Sequence, residues 1–226
     1  MMYRILIVED DRALRTVNKI YFEQAGFQVY EAENVEQAYR KMEQSEADCV
    51  LLDISLPDGN GFEVCSKMKE RRDIPIIFVS NHLEEENRIN GFLAGGDDYI
   101  TKPYSLKELE LRIYARLKPY GTQEAADRIL HFPPIEIYVS TRTVVCGDKK
   151  ITFTAAEFNI IYFLARHPDK VYSAAKIYDN VWNQPNLGDA HTVQVHLAQA
   201  RKKMNGLREG HNYIETIWGR GYKFNS

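Results

Sequence analysis

Arg4-Ile5-Leu6-Ile7-Val8-Glu9-Asp10-Asp11 stands near the start of the chain, and Cys49-Val50-Leu51-Leu52-Asp53 repeats its pattern of an apolar run followed by carboxylates. Continuous runs of branched apolar residues are typical of parallel strands that are buried on both faces. Because the carboxyl ends of parallel strands meet at one edge of a sheet, we expect Glu9, Asp10 and Asp53 to lie close together. Such a group suits a hard divalent cation and a nucleophilic aspartate.

The first half of the sequence alternates between strand and helix patterns. Strands are predicted at residues 4–9, 28–32, 48–53, 75–80 and 98–102, and helices at 12–25, 35–45, 61–71, 84–94 and 106–117. Asp11 is expected only to supply charge at the start of the first helix, and Ser105 with Glu108 fits a capping box for the fifth. Five strand–helix repeats predict an α/β fold with a doubly wound, five-stranded parallel sheet.

The second half has a different pattern. We predict domains at 1–119 and 128–226, separated by a linker at 120–127 that lacks apolar periodicity. Short strands over 129–153, three helices and a hairpin with its turn at Gly219-Arg220-Gly221 predict an α+β winged helix-turn-helix domain. A capping box at Thr154 opens the first of these helices, and Ser173 opens a second that runs through Trp182. Trp182 and Trp218 are both expected to pack in the core or against the hairpin.

Composition and charge narrow the class of protein. The chain has 226 residues, no apolar run long enough to cross a membrane, no signal-peptide pattern and three cysteines without metal-ligand spacing. These features favour a reduced, cytoplasmic compartment. Residues 1–120 carry 22 acidic and 16 basic side chains, whereas residues 121–226 carry 10 and 13. The positive second half is compatible with a nucleic-acid partner.

Two further polar residues end predicted strands. Ser80 ends the fourth strand and Lys102 ends the fifth, so both are expected at the edge that holds the carboxylates. A cation, an ammonium group and a nucleophilic carboxylate together favour phosphoryl transfer to Asp53.

Four motifs now carry a family resemblance: Ile7-Val8-Glu9-Asp10-Asp11, Leu52-Asp53-Ile54-Ser55-Leu56-Pro57-Asp58-Gly59-Asn60-Gly61, Val79-Ser80 and Asp97-Asp98-Tyr99-Ile100-Thr101-Lys102-Pro103-Tyr104. They resemble the receiver domain of a two-component response regulator, which implies the flavodoxin-like strand order 2-1-3-4-5. With its second half, the chain resembles the OmpR/PhoB class over nearly its whole length. Asn81 departs from the family, which usually has a small residue after the serine.

The resemblance implies a role for each site residue. Asp53 would accept a phosphoryl group from a sensor histidine kinase, with Lys102 contacting that group across a cis Lys102-Pro103 bond. Mg²⁺ or Mn²⁺ would be held by Asp10, Asp53 and the backbone carbonyl of Ser55, with Glu9 acting through water. Ser80 would shift to hydrogen-bond the new phosphate, and Tyr99 would follow by turning inward. Tyr99 could instead be plain core, and Ser80 a simple strand-end hydroxyl.

The resemblance also implies a homodimer that forms on phosphorylation. Its salt bridges would join Arg88 to Glu108 and Asp98 to Arg112 across a two-fold interface. The alternative is a solvated charged face, in which Glu108 serves only its helix cap.

The helix at 190–204 is the predicted recognition helix for double-stranded DNA. Val193, Leu197, Ala200 and Met204 recur at core spacing. Gln194 and Gln199 depart from the family, and glutamine reads adenine, so we predict an A·T-leaning site. Lys203 could contact phosphate or serve only as helix-terminal charge.

The loop 183–189 corresponds to the segment that meets RNA polymerase in the family. The predicted DNA-contact residues are His191, Gln194, Val195, His196, Ala198, Gln199, Arg201, Lys202 and, at the hairpin turn, Arg220.

The sequence therefore predicts a phosphorylation-dependent, DNA-binding transcription regulator that is not a dedicated enzyme, although it would assist its own phosphorylation and dephosphorylation. Two alternatives remain. An aspartyl-phosphate enzyme could use the same carboxylates, but it would leave the DNA-binding half unexplained. A phosphorylation-independent regulator could use the first domain only for dimerisation, but such proteins usually lack part of the acidic set.

Overall fold

The computed structural model describes residues 2–81, 85–117, 128–182, 190–207 and 211–226. The chain divides into two compact units, residues 1–118 and 119–226. The predicted linker at 120–127 and the loop at 183–189 lie outside the described residues. No helix in the described part of the chain is long and apolar enough to cross a membrane.

The first unit is the predicted doubly wound α/β domain. Its parallel sheet has the order β2-β1-β3-β6-β7, which is 2-1-3-4-5 when only the strands of this sheet are counted. The elements are β1 (Arg4–Val8), α1 (Arg12–Gln24), β2 (Gln28–Ala32), α2 (Val35–Gln44), β3 (Cys49–Leu52), β4 (Ser55–Leu56), β5 (Gly59–Asn60), α3 (Gly61–Arg71), β6 (Ile76–Ser80), α4 (Glu85–Leu93), β7 (Asp98–Thr101) and α5 (Leu106–Leu117).

Local chemistry explains where these elements begin and end. The Asp11 carboxylate accepts hydrogen bonds from the backbone N–H groups of Ala13 at 2.8 Å and Leu14 at 3.1 Å. It therefore caps α1, which confirms that it opens the helix. Gly26 follows α1 with a φ of +89°, a left-handed conformation that favours glycine. The two-residue strands β4 and β5 were not predicted, because so short a hairpin carries no periodic pattern.

The second unit combines a four-stranded antiparallel sheet, three helices and a terminal hairpin, as predicted. The sheet has the order β11-β10-β9-β8. Thr154 and Glu157 form the predicted capping box, with Thr154 N donating to Glu157 Oε2 at 2.9 Å. The elements are β8 (Ile129–Phe132), β9 (Ile135–Tyr138), β10 (Thr143–Cys146), β11 (Lys149–Thr152), α6 (Ala155–Ala165), α7 (Ala174–Trp182), α8 (Ala190–Asn205), β12 (Ile214–Ile217) and β13 (Gly221–Phe224).

The two tryptophans differ in environment. Trp182 is buried in the core of the second unit, as predicted, but Trp218 is 91% exposed. The prediction for Trp218 is therefore wrong. Pairing of β12 with β13 ends at Ile217 and Gly221, so Trp218 lies on the turn beyond the last paired residues. An apolar residue type gives no sign that its side chain falls on such a turn.

Candidate functional site

Three carboxylates converge at the carboxyl edge of the parallel sheet. Glu9 and Asp10 follow β1, and Asp53 follows the neighbouring strand β3. One carboxylate oxygen from each lies within 4.8 Å of the others. Glu9 and Asp53 are buried, whereas Asp10 is exposed. The structure thus brings together the acidic residues that the strand pattern placed at one edge.

Lys102 neutralises part of this negative charge. Its Nζ lies 2.6 Å from Asp53 Oδ2 and 2.7 Å from Glu9 Oε2. Burial lowers the pKa of Lys102, but the hydrogen bonds to Asp53 and Glu9 outweigh it and hold the pKa above its ordinary value. Burial raises the pKa of Glu9 despite its bond to Lys102. The ammonium group is therefore charged at neutral pH and is fixed between two carboxylates.

An open cleft of about 800 Å³ gives access to these groups. Ser55 and Asn81 lie on its wall, so the Asn81 side chain is placed at the site as the sequence indicated. The remaining lining comes from α1 and from the segment that follows β7, and it includes Leu14, Val17, Pro103, Tyr104 and Leu106.

The loop after Asp53 folds tightly against the strand end. The Ser55 backbone N–H donates to Asp53 Oδ1 at 3.0 Å and fixes the carboxylate. A Cβ at Gly61 would lie 2.3 Å from the backbone oxygen of Asp53. Only glycine therefore allows α3 to start so close to Asp53.

Arg15 is a structural contributor that the sequence did not reveal. Its guanidinium donates to the backbone oxygens of Glu9 and Asp10, the latter at 3.1 Å. Arg15 lies on α1, one turn after the acidic cluster. No sequence signal distinguishes this role.

Ser80 is buried at the carboxyl end of β6, and Tyr99 is buried on the neighbouring strand β7, where it pairs with Phe78. The backbone oxygen of Ser80 accepts from Lys102 N at 2.8 Å, which links β6 to the lysine. The Tyr99 ring packs against Phe78 with 6.3 Å between centroids. The Lys102-Pro103 peptide bond is cis, as predicted.

In the second unit, α8 has one buried and one exposed face. Val193, Leu197, Ala200 and Met204 are buried, which confirms the predicted core face. Among the predicted DNA-contact residues, those that are exposed on α8 are Gln194, Ala198 and Lys202, with His191 and Gln199 partly exposed.

Two predicted DNA contacts on α8 are buried instead. Val195 is 8% exposed and His196 is 2% exposed, with the His196 ring 6.2 Å from that of Trp182. Both therefore pack inside the unit, and neither is available to DNA in this conformation. The prediction failed because a 16-residue helix packed against both α6 and α7 buries more than one narrow face.

Arg201 joins α8 to the hairpin. Its Nε donates to the Ile214 backbone oxygen at 2.7 Å and an NH2 group donates to Thr216 Oγ1 at 2.8 Å. Its guanidinium also lies 5.3 Å from the centre of the Tyr222 ring. The Arg201 side chain, which was predicted to contact DNA, is thus engaged within the unit. Lys203 is likewise engaged, at 2.6 Å from Glu157. Arg220 is exposed on the hairpin turn.

Comparisons with known proteins agree with this layout. Residues 5–114 match the response regulator receiver domain, and residues 148–224 match the C-terminal domain of transcriptional regulatory proteins. The transcriptional regulatory protein SrrA of Staphylococcus aureus is 34% identical, over 99% of this chain and 96% of SrrA. The chain belongs to the OmpR/PhoB class of response regulators. It is a DNA-binding transcription regulator of a two-component system, and the family implies a histidine kinase partner.

Solved structures support the same assignment. The response regulator DrrB of Thermotoga maritima, an OmpR/PhoB homologue, aligns over 100% of both chains with a TM-score of 0.54 and 29% identity. A RitR variant aligns over 99% of both chains with a TM-score of 0.77, and at 22% identity it supports the fold alone.

The carboxylates of this response regulator fit a divalent cation. Glu9, Asp10 and Asp53 together would carry three negative charges, and Lys102 supplies one positive charge. Oxygen donors in an open cleft suit Mg²⁺, which keeps several waters and takes one or two carboxylates from the protein. Receiver domains generally bind this ion.

The predicted dimer residues are arranged differently from the prediction. Asp98 is fully buried and pairs within the chain, with Arg112 at 3.0 Å and Arg116 at 2.6 Å. Arg112 also bonds Glu108 at 2.8 Å, and Arg88 is partly exposed. An intermolecular Asp98–Arg112 bridge is therefore not available in this conformation, because a buried carboxylate has recruited the nearest two guanidinium groups.

Proposed function

We propose that Asp53 is the phosphoacceptor of this response regulator and that its phosphorylation by a sensor histidine kinase controls DNA binding. The observation that carries the proposal is the position of Lys102 Nζ, 2.6 Å from Asp53 Oδ2 beside two further carboxylates in an open cleft. An ion pair that served only to stabilise the fold would need neither the two further carboxylates nor a cleft that is open to solvent.

The chemistry follows from the residues present. A carboxylate oxygen of Asp53 attacks the phosphorus of the donor, and the bond from phosphorus to the donor breaks with its electron pair left on the donor. Lys102 is placed to donate to a phosphoryl oxygen once Asp53 has reacted, because its ammonium already contacts the attacking carboxylate. Asp10 and Asp53, with the Ser55 carbonyl and Glu9 through water, would hold Mg²⁺. When bound, that cation neutralises charge on the phosphoryl oxygens.

Ser80 and Tyr99 are proposed to carry the signal from Asp53. Ser80 lies on β6, whose backbone also holds Lys102, and Tyr99 occupies the neighbouring strand. The Tyr99 ring packs against Phe78. This contact fits a residue that switches on phosphorylation, and it also fits a residue that only fills the core. We also propose that the chain is cytoplasmic, that it dimerises on phosphorylation and that it contacts RNA polymerase through the loop at 183–189.

For DNA, we propose that α8 reads bases through its exposed residues. Gln194, Ala198 and Lys202 recur on one face at helical spacing and are exposed. Glutamine pairs bidentately with adenine, and the Ala198 methyl suits a thymine methyl. Lys202 is suited to phosphate, which positions the protein without specifying sequence.

Gln194→Ala is expected to relax specificity at one A·T pair. Loss of a bidentate contact removes about 1–3 kcal/mol of discrimination against the wrong base. Competition between duplexes that differ at single positions would measure this change. Gln28→Ala, which removes an exposed glutamine of the first unit, is the matched control and should leave the preference intact. A G·C-rich preference of the wild-type chain at the contacted positions would contradict the proposal.

Asn81→Ala is expected to raise the rates of both phosphorylation and dephosphorylation severalfold. Asn81 is exposed and lies on the cleft wall, and we propose that its side chain restricts access to Asp53. Time courses with a small acyl phosphate would measure both rates. Asn205→Ala, at the exposed end of α8, controls for loss of an amide elsewhere. Unchanged rates in Asn81→Ala would show that the side chain does not restrict access.

The proposed function is tested by incubating the full chain with Mg²⁺ and a small acyl phosphate, then measuring intact mass and oligomeric state. We expect a gain of one phosphoryl group that requires Mg²⁺, followed by an increase in the dimer fraction. Stoichiometric and lasting mass gain separates a regulator from an enzyme that turns the donor over. No mass gain under any metal condition would favour a phosphorylation-independent regulator.

A further inference from the structure

The most exposed large apolar side chain in the described part of the chain is an indole at the hairpin turn. Trp218 is 91% exposed, compared with 60% or less for the other exposed large apolar residues. Indoles are the largest apolar side chains and are costly to leave in water. Scattered exposed leucines or valines need no explanation, but an indole exposes far more apolar surface, and large exposed apolar surfaces are typical of contacts with a partner.

The turn that carries Trp218 is held firmly by the rest of the second unit. Tyr222 on β13 exchanges two backbone hydrogen bonds with Tyr172, at 2.8 and 2.9 Å. A Cβ at Gly221 would lie 2.0 Å from the Tyr172 backbone oxygen, so only glycine allows this contact. Trp218 therefore projects from a fixed support rather than from a loose loop.

The same hairpin is attached to the recognition helix. Arg201 of α8 donates to Ile214 and Thr216, both on β12, at 2.7 and 2.8 Å. The position of the turn relative to the exposed α8 face is therefore set by direct hydrogen bonds. A duplex that meets Gln194 and Lys202 on α8 is met by the hairpin turn in a defined geometry.

The charge around the indole favours DNA as the covering partner. Arg220 is exposed two residues away on the same turn, and residues 218–220 contain no acidic side chain. On the neighbouring strands, Glu215 is paired with Lys223 at 3.2 Å. A cation beside an apolar ring suits a minor groove, where the potential is negative and the sugar edges are apolar.

We propose that Trp218 is a DNA-contact residue that packs its indole against the sugar edges of a minor groove while Arg220 enters the groove. This inference rests on DNA binding by the family and on the hairpin geometry, and it is independent of phosphorylation at Asp53. It assigns to the hairpin an apolar contribution to affinity beyond that of the Ala198 methyl on α8.

An apolar contact and a charged contact differ in their dependence on salt. Each neutralised phosphate contributes about −0.9 to the slope of log affinity against log salt concentration. Trp218→Ala should weaken binding about tenfold, as expected from burial of roughly 60 Å² of apolar surface, and leave this slope unchanged. Arg220→Ala should make the slope shallower by about 1.

The test uses the full-length chain and the duplex that the wild type enriches from a random-sequence pool, with each comparison made in one phosphorylation state. Trp218→Phe keeps an aromatic ring and should lose less affinity than Trp218→Ala. Ile20→Ala, which shortens an exposed apolar side chain of the first unit, should bind as wild type. Affinity of Trp218→Ala within about twofold of wild type, or a changed salt slope, would overturn the proposal.

Fluorescence gives a second readout, which does not depend on a loss of affinity in a variant. The chain has two tryptophans, and Trp182 is buried, so Trp218 accounts for the solvent-exposed emission. Addition of the duplex should change that emission and protect it from acrylamide, and Trp218→Phe should abolish both effects. Unchanged quenching in the wild-type complex would overturn the proposal. The proposal would also be overturned if Trp218→Ala changed the oligomeric state of the chain but left DNA affinity unchanged. That result would indicate that a second copy of the chain covers the turn.

Discussion

Asp53→Asn is expected to abolish phosphorylation of the chain. An amide lacks the anionic oxygen that attacks phosphorus. Among the described residues, Glu9 is the only other carboxylate within hydrogen-bonding distance of the Lys102 ammonium. The substitution keeps the shape of the side chain, and Lys102 retains its bond to Glu9. The fold should therefore persist. Intact mass after treatment with Mg²⁺ and a small acyl phosphate measures the loss.

Asp11→Asn is the matched control for this loss. Asp11 belongs to the same acidic cluster, but it caps α1 through Ala13 and Leu14. Asparagine caps helices as well as aspartate does, so phosphorylation should stay near the wild-type level. Equal mass gain in wild type and Asp53→Asn would place the acceptor elsewhere. Loss of phosphorylation in Asp11→Asn would contradict the distinct roles assigned to neighbouring residues.

Asp98→Asn is expected to destabilise the first unit by about 3–5 kcal/mol, because it removes the buried carboxylate that pairs with two buried guanidinium groups, of which Arg112 keeps its bond to Glu108. Asp98 is fully buried between Arg112 at 3.0 Å and Arg116 at 2.6 Å. Urea unfolding followed by circular dichroism would measure the change. Tryptophan fluorescence follows the second unit separately, since residues 182 and 218 both belong to it.

The effect of Asp98 on stability should depend on pH. Burial acts to raise the pKa of Asp98, but the charges of Arg116 and Arg112 outweigh it and hold the pKa below its ordinary value. A depressed pKa in the folded state means that the contribution is fully present above the unfolded pKa of about 4 and is lost as pH falls below it. The difference between wild type and Asp98→Asn should therefore be constant from neutral pH down to about pH 5 and shrink below about pH 4.

A surface ion pair provides the control for this prediction. Glu46 bonds Arg4 at 2.6 Å, but its side chain is 80% exposed. Glu46→Ala should change stability by less than about 1 kcal/mol. An equal loss in Asp98→Asn and Glu46→Ala would show that burial does not govern the Asp98 contribution.

The parallel sheet and the acidic edge could be predicted because each depends on local pattern. Apolar runs end at Glu9 and Asp53, and the rule that parallel strands end at one edge brings them together. Asp11 was separable from Asp10 because a carboxylate just before a helix supplies favourable charge at its start. The exposed residues of α8, such as Gln194 and Lys202, follow from helical spacing in the same way.

The features that were not predicted depend on contacts between distant segments. Burial of His196 is set by Trp182 on another helix, and the engagement of Arg201 is set by the hairpin. Asp98 on β7 pairs with arginines on α5 of the same chain. An ion pair between two chains would need the same residues at the same positions, so the sequence does not distinguish the two arrangements. Exposure of Trp218 depends on where the pairing of β12 with β13 ends, whereas its apolar character alone predicts burial.

Control of DNA binding by phosphorylation is tested most directly by the affinity of the full chain for its selected duplex, at one salt concentration, before and after treatment with Mg²⁺ and acyl phosphate. We expect wild type to change its affinity on treatment and Asp53→Asn to bind with the same affinity in both conditions. A wild-type chain that gains a phosphoryl group on Asp53 yet binds DNA with unchanged affinity would contradict phosphorylation-dependent control of DNA binding.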